Sequence, residues 1–219
     1  MLELKRKYIS VADIHDHKRS SFGGSQMWFQ EKGINRCGCG VIAAYDFLLY
    51  VTQKNELQDP VFLSRDMYIA ELRSIQKKYF PLLYPFGLTG VQLAIGMNRL
   101  FRDRALPYRA VWSVSERKLL FLMHEMLLND IPVILAIGPN FPFFWEKHKL
   151  SLYSKDSNGS YRKASDVKAH YITVVGIDDI WMKISSWGKE FYIRIDEYQR
   201  YIKNHSSFIT SNLLLIKKQ

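Results

Sequence analysis

Cys37-Gly38-Cys39-Gly40-Val41-Ile42-Ala43-Ala44 and, far downstream, His170-Tyr171-Ile172-Thr173-Val174-Val175-Gly176 decide how this chain is read. The first stretch opens a helix, Val41 to Val51, in which Ile42, Tyr45, Leu48 and Leu49 recur at helical spacing and define a buried face. Asp46 and Tyr50 then fall on its surface or rim. The second stretch is a β-branched run ended by glycine, which reads as a strand. A thiol at a helix start and an imidazole at a strand start are the two parts a cysteine nucleophile needs. The helix N-terminus carries partial positive charge that favours thiolate, and the imidazole accepts and returns its proton. Cys39 leads directly into the alanine-bearing helix, so it, rather than Cys37, is expected to be the reactive thiol. Its sulfur is expected within about 4 Å of a His170 ring nitrogen.

His170 follows Cys39 by 170 − 39 = 131 positions, inside the roughly 130–150 that separate nucleophile and base in papain-like enzymes. The chain resembles that superfamily of cysteine peptidases. Gln30 ahead of Cys39-Gly40-Val41-Ile42-Ala43-Ala44 is most similar to the bacteriocin-processing (double-glycine leader) peptidase type and its bacterial relatives. Those carry an upstream Gln and then Cys-Gly-x-Ala-Ala; here one extra residue precedes the alanines. Ile184-Ser185-Ser186-Trp187-Gly188 looks like the Asn-Ser-Trp-Gly of papain, with Ser185 where the orienting Asn would be. The likeness runs from about Gln30 to Trp187 and rests on these three short motifs.

The resemblance implies a bacterial protein with a papain-like α+β fold. The nucleophile would sit on a helix of one part, the base on the sheet of the other, and the active site in the cleft between them. It also implies roles: Cys39 as nucleophile, His170 as base, Ser185 as its orienter and Gln30 as oxyanion donor. Gln30 lies 39 − 30 = 9 positions before Cys39, more than the family's usual spacing, so Asn35 is the second candidate amide. An amide suits either position because it offers N–H donors without titrating. Asp178, just past the histidine strand, is the second candidate orienter.

The composition is that of an ordinary globular chain: 219 residues, 47% hydrophobic and 24% charged, enough for a single domain with a substantial core. No apolar run approaches the roughly 18–20 residues that span a bilayer. Met1-Leu2-Glu3-Leu4-Lys5-Arg6-Lys7 lacks the apolar centre of a signal peptide, so a cytoplasmic protein is expected. Cys37 and Cys39 have no other cysteine to pair with, and a disulfide between them would close a strained loop, so the thiols read as free. A lone Cys-x-Cys falls short of a zinc site, and His15 and His17 are distant, so neither metal nor cofactor is expected. The net charge of +10 is scattered, as in Lys5-Arg6-Lys7, Lys77-Lys78 and Lys217-Lys218, without a nucleic-acid-binding signature. That argues against specific nucleic-acid binding.

The pattern divides into a helical part, about 30–130, and a β-rich part, about 131–219. After an irregular arm with a Gly23-Gly24-Ser25 turn come the Cys39 helix, a helix over Ser64 to Lys78, and one from Thr89 to about Arg104 opened by a Thr89-x-x-Gln92 capping box. Ser113-x-x-Glu116 opens another to about Leu128. A strand over 131–138 follows, then a hairpin turning at Asp156-Ser157-Asn158-Gly159. Strands near 169–176, 180–185 and 190–195 come next, a short helix capped by Asp196, and a last strand at 209–216. Phe141-Pro142-Phe143-Phe144-Trp145 reads either as a hydrophobic substrate wall or as a packed loop.

Together these features point to a cysteine peptidase-like hydrolase that cleaves an amide or peptide substrate through an acyl-enzyme. The same intermediate can pass its acyl group to an amine, as in an acyltransferase. A non-catalytic binding module on a peptidase fold is the reading that Ser185 favours. Specificity in any of these comes from cleft shape, not from the nucleophile motif.

Overall fold

The computed structural model describes residues 1–12, 20–53, 63–112, 115–138, 148–207 and 209–219, Glu116 by its backbone only. His15, His17, the Ser113 cap and the Phe141–Trp145 run lie outside the described residues. Strands β1 (Leu2–Glu3) and β2 (Val11–Ala12) lead to helices α1 (Lys32–Cys37) and α2 (Cys39–Thr52). Strand β3 (Leu63–Ser64), helices α3 (Arg65–Tyr79) and α4 (Gly90–Asp103), strand β4 (Tyr108–Trp112) and helix α5 (Leu119–Leu128) follow. Then come strands β5 (Val133–Ile137), β6 (Leu150–Lys155), β7 (Tyr161–Val167), β8 (His170–Ile177), β9 (Trp181–Ser186) and β10 (Lys189–Arg194), helix α6 (Ile195–His205) and strand β11 (Leu213–Lys218). The class is α+β, as the pattern predicts.

The caps fall where the side chains demand them. Ser64 accepts a hydrogen bond from the Met67 N–H and starts α3. Thr89 and Gln92 exchange side-chain and backbone hydrogen bonds in a complete capping box at α4. Asp196 lies in the first turn of α6 instead of capping it; Arg194 holds the cap position without a side-chain bond. Asp156 accepts from the N–H groups of Asn158 and Ser160 and closes the β6–β7 hairpin.

The main sheet runs β4-β11-β5-β8-β9-β10-β6-β7, with β1 added alongside the far end of β8, while β2 and β3 form a separate parallel pair. The main sheet is antiparallel throughout. Its centre, β5 and β8, is apolar on both faces: Val133–Ile137 and Ile172–Ile177 are buried. Strand β4 breaks the expected division at about 130, because it belongs to the helical stretch of sequence yet pairs with the C-terminal β11. Its five residues mix Arg109 and Ala110 with Tyr108, Val111 and Trp112, and the long-range partner fixes them as strand.

Helix α2 is enclosed almost all round, with Val41 to Leu48 buried. Each large apolar side chain so buried contributes roughly 2 kcal/mol, so the helix that carries Cys39 is firmly anchored. The enclosure corrects the expected placing of Asp46 and Tyr50, which are both buried. The N-terminal arm covers them. Tyr50 donates to Asp130, which is ion-paired with Arg6, and Tyr8 reaches Asp46. No helix among the described residues is long and apolar enough to cross a membrane.

Candidate active site

Cys39 is the first residue of α2, joined to α1 by Gly38 alone. The α2 start abuts β8, so the Cys39 sulfur faces the backbone N–H groups of Tyr171 and Gly40. Those donors favour thiolate, but burial outweighs them and pushes the thiol above its ordinary value. The depressed thiol expected from the helix N-terminus is therefore not what the site produces. Cys37, at the end of α1, donates its S–H to the Pro85 carbonyl oxygen at 3.2 Å.

His170 opens β8. Its Nε2 lies 2.8 Å from Ser186 Oγ, and the Trp187 indole stacks on the ring with centroids 4.7 Å apart. Strand register explains why Ser186, and not Ser185, meets the imidazole. Ser185 pairs with Thr173 and shares its face of the sheet. His170 is three residues from Thr173 and so projects to the other face, to which Ser186 returns. Ser185 instead donates to the Phe22 carbonyl oxygen at 2.8 Å. Asp178 sits at the opposite end of β8, where its Oδ1 accepts from the Ile180 and Trp181 N–H groups and closes the β8–β9 turn.

Cys39, His170, Ser185 and Ser186 line one small cavity of about 10 Å³, space for about one water molecule. Cys39 and His170 also line a larger groove of about 540 Å³, bounded by Cys37, Phe86, Trp112 and Ile209. The ring's hydrogen bond goes to Ser186 and the sulfur faces the Tyr171 amide, so neither bond joins the thiol directly to the imidazole. Burial lowers the His170 imidazole to about 4. Both groups are thus neutral at pH 7, a thiol beside an unprotonated base.

Gln30 is exposed and does not line the cavity, and Gln26 is there in its place. Phe29 takes the inward position of the extended exit from the Gln26–Trp28 turn, which leaves Gln30 pointing to solvent. Gln26 is 8% exposed; its Nε2 donates to the Asn35 carbonyl oxygen at 2.7 Å, and its Oε1 is buried with no hydrogen-bond partner. Asn35 supports this loop from behind, donating its Nδ2 to the Phe29 carbonyl oxygen. The short helix α1 occupies the extra spacing between the amide and the thiol. Gly23-Gly24 is the sequence signal for this placement of Gln26. Gly23 has a φ of +76°, and a Cβ on Gly24 would collide with the Tyr68 hydroxyl, so this turn must pass through the core.

Asp46, two turns beyond Cys39 on α2, lines the cavity too. Among the described residues no group of three His, Cys, Asp or Glu side chains could hold a metal ion. No protein-family model, curated protein or solved structure matches the chain.

Proposed function

We propose that the chain is a cysteine-dependent hydrolase of the papain-like type, acting on an amide or peptide carbonyl through a thioester intermediate. The observation that carries the reading is that Cys39 and His170 share one cavity, with the imidazole held at Nε2 by Ser186 and stacked under Trp187. With Nε2–H donating to Ser186, the Nδ1 lone pair is the free base. Nδ1 takes the Cys39 proton as the sulfur attacks the carbonyl carbon, and the amide becomes a tetrahedral oxyanion. The remaining Gln26 Nε2–H and a backbone N–H at Cys39 stabilise that oxygen. Collapse breaks the C–N bond, and His170 gives its proton to the leaving amine. Water, deprotonated by His170, then attacks the thioester, releasing the acid and restoring the thiol.

Hydrolysis of fluorogenic peptide amides tests the reading. Turnover is expected from the wild type and lost in Cys39→Ala and His170→Ala. Turnover that survives Cys39→Ala would overturn it.

A second reading, a non-catalytic binding module on the same fold, is favoured by two observations. The cavity has room for about one water, and thiol and imidazole stand uncharged without a mutual hydrogen bond. A ligand bound equally well by wild type and Cys39→Ala, with no turnover in either, would select it.

A further inference from the structure

Asp46 is 2% exposed, yet no cation among the described residues faces it. Its carboxylate accepts from the Gly24 N–H at 2.9 Å and 3.2 Å, from the Tyr68 hydroxyl at 2.7 Å and from the Tyr8 hydroxyl at 3.4 Å. The first of these bonds grips the turn that leads, two residues later, to Gln26. The same turn is held from the sheet, where Ser185 donates to the Phe22 carbonyl oxygen and the Phe22 N–H donates to Gly188. Gly23 has no room for a side chain between Ser185 and Asp46. Residues 22–26 therefore form a strap, pinned to α2 by Asp46 and to β9 by Ser185, that roofs the Cys39–His170 cavity. Gln26 lines this cavity, and its Oε1 is buried with no hydrogen-bond partner.

We propose that Asp46 is a positioning residue: its charged carboxylate fastens the Gly24 amide and so aims the Gln26 side chain at the carbonyl that Cys39 attacks. The role rests on the hydrolase reading above. A carboxylate is the group for the task because two acceptor oxygens can serve a backbone amide and two phenols at once. The titratable groups around it are Tyr8 from the N-terminal arm, Tyr68 from α3 and Tyr45 on α2, with Cys39 and His170 across the cavity. The phenols are held neutral by burial, so Asp46 itself changes charge first among its contacts, with its carboxyl pushed up to about 6 by burial.

The test is the pH profile of kcat/KM for wild type, Asp46→Asn and Tyr68→Phe, with hydrogen exchange of peptides spanning 20–28 measured on the same samples. Wild type is expected to lose activity as pH falls through about 6. Asp46→Asn is expected to lack that limb, with a plateau lowered about 10- to 100-fold by misplacement of an oxyanion donor. Tyr68→Phe removes a bond that favours the carboxylate, so it should move the limb to higher pH. Protection of the Gly24 amide should weaken in Asp46→Asn. A wild-type profile retained in Asp46→Asn, or unchanged protection, overturns the positioning role. Weakened protection without any Cys39-dependent turnover overturns the hydrolase reading and leaves the hold of Asp46 on the strap supported.

Discussion

Ser186 Oγ and His170 Nε2 stand 2.8 Å apart on one face of the sheet, while Ser185, the neighbouring residue, faces the opposite way and holds the Phe22 carbonyl. A single residue of strand alternation thus separates the serine that meets the imidazole from the one that holds the Phe22 carbonyl. Ser186→Ala should lower kcat/KM about 5- to 10-fold, the worth of one neutral hydrogen bond of roughly 1 kcal/mol. Steady-state kinetics of both alanine variants check this. A normal acid-base profile in Ser186→Ala with a deformed one in Ser185→Ala would reverse the assignment.

Gln26 and Gln30 offer the same amide from opposite environments. Gln26→Ala should reduce kcat about 100-fold or more, the usual cost of one oxyanion donor, with little change in KM. Gln30→Ala should match wild type, since exposed side chains away from a site rarely matter. Loss of turnover in Gln30→Ala with Gln26→Ala active would show that the strap takes no part in the chemistry.

Two buried groups set opposing pH dependences of stability. The Asp46 carboxyl is raised from its ordinary 3.8 to about 6, so the fold holds this proton more tightly than the unfolded chain does. Its contribution is fully favourable below 3.8 and is lost as pH rises through about 6, a change of roughly 3 kcal/mol. The His170 imidazole is lowered from 6.5 to about 4, so its contribution is fully present above 6.5 and lost as pH falls through about 4, by a similar amount. In the wild type the two nearly cancel over that interval. Asp46→Asn removes one of them, so urea denaturation should show its stability, relative to wild type, improving from pH 4 to pH 7 by up to roughly 3 kcal/mol. A difference that does not vary with pH would contradict the burial of an ionising Asp46.

The α+β class, most of the helices and the histidine strand were legible because each rests on local signals: helical spacing, capping boxes and a β-branched run. Three things were not. Strand β4 depends on pairing with β11, a partner more than a hundred residues away along the chain. Asp46 reads as a polar rim residue on any helical wheel; its burial is decided by Tyr8 and the Gly23-Gly24 turn folding over α2. The shift from Ser185 to Ser186 needed the β8–β9 register, which two adjacent serines cannot encode by themselves. Gln30 and Asn35 are the amides nearer Cys39 along the chain, whereas α1 folds the intervening residues into a compact turn and the cavity takes Gln26.

Under the proposed mechanism, Cys39 becomes a nucleophile only when His170 takes its proton. This dependence is tested most directly by site-resolved mass spectrometry after trapping with a peptidyl vinyl sulfone near pH 7, in wild type and His170→Ala. Burial holds the Cys39 thiol up, so unaided it should react slowly. Adduct is expected on Cys39 and not on Cys37 in the wild type, formed at least about 100-fold more slowly in His170→Ala, in keeping with loss of a positioned general base. Adduct on Cys37, or Cys39 labelling at the same rate without His170, would contradict the mechanism.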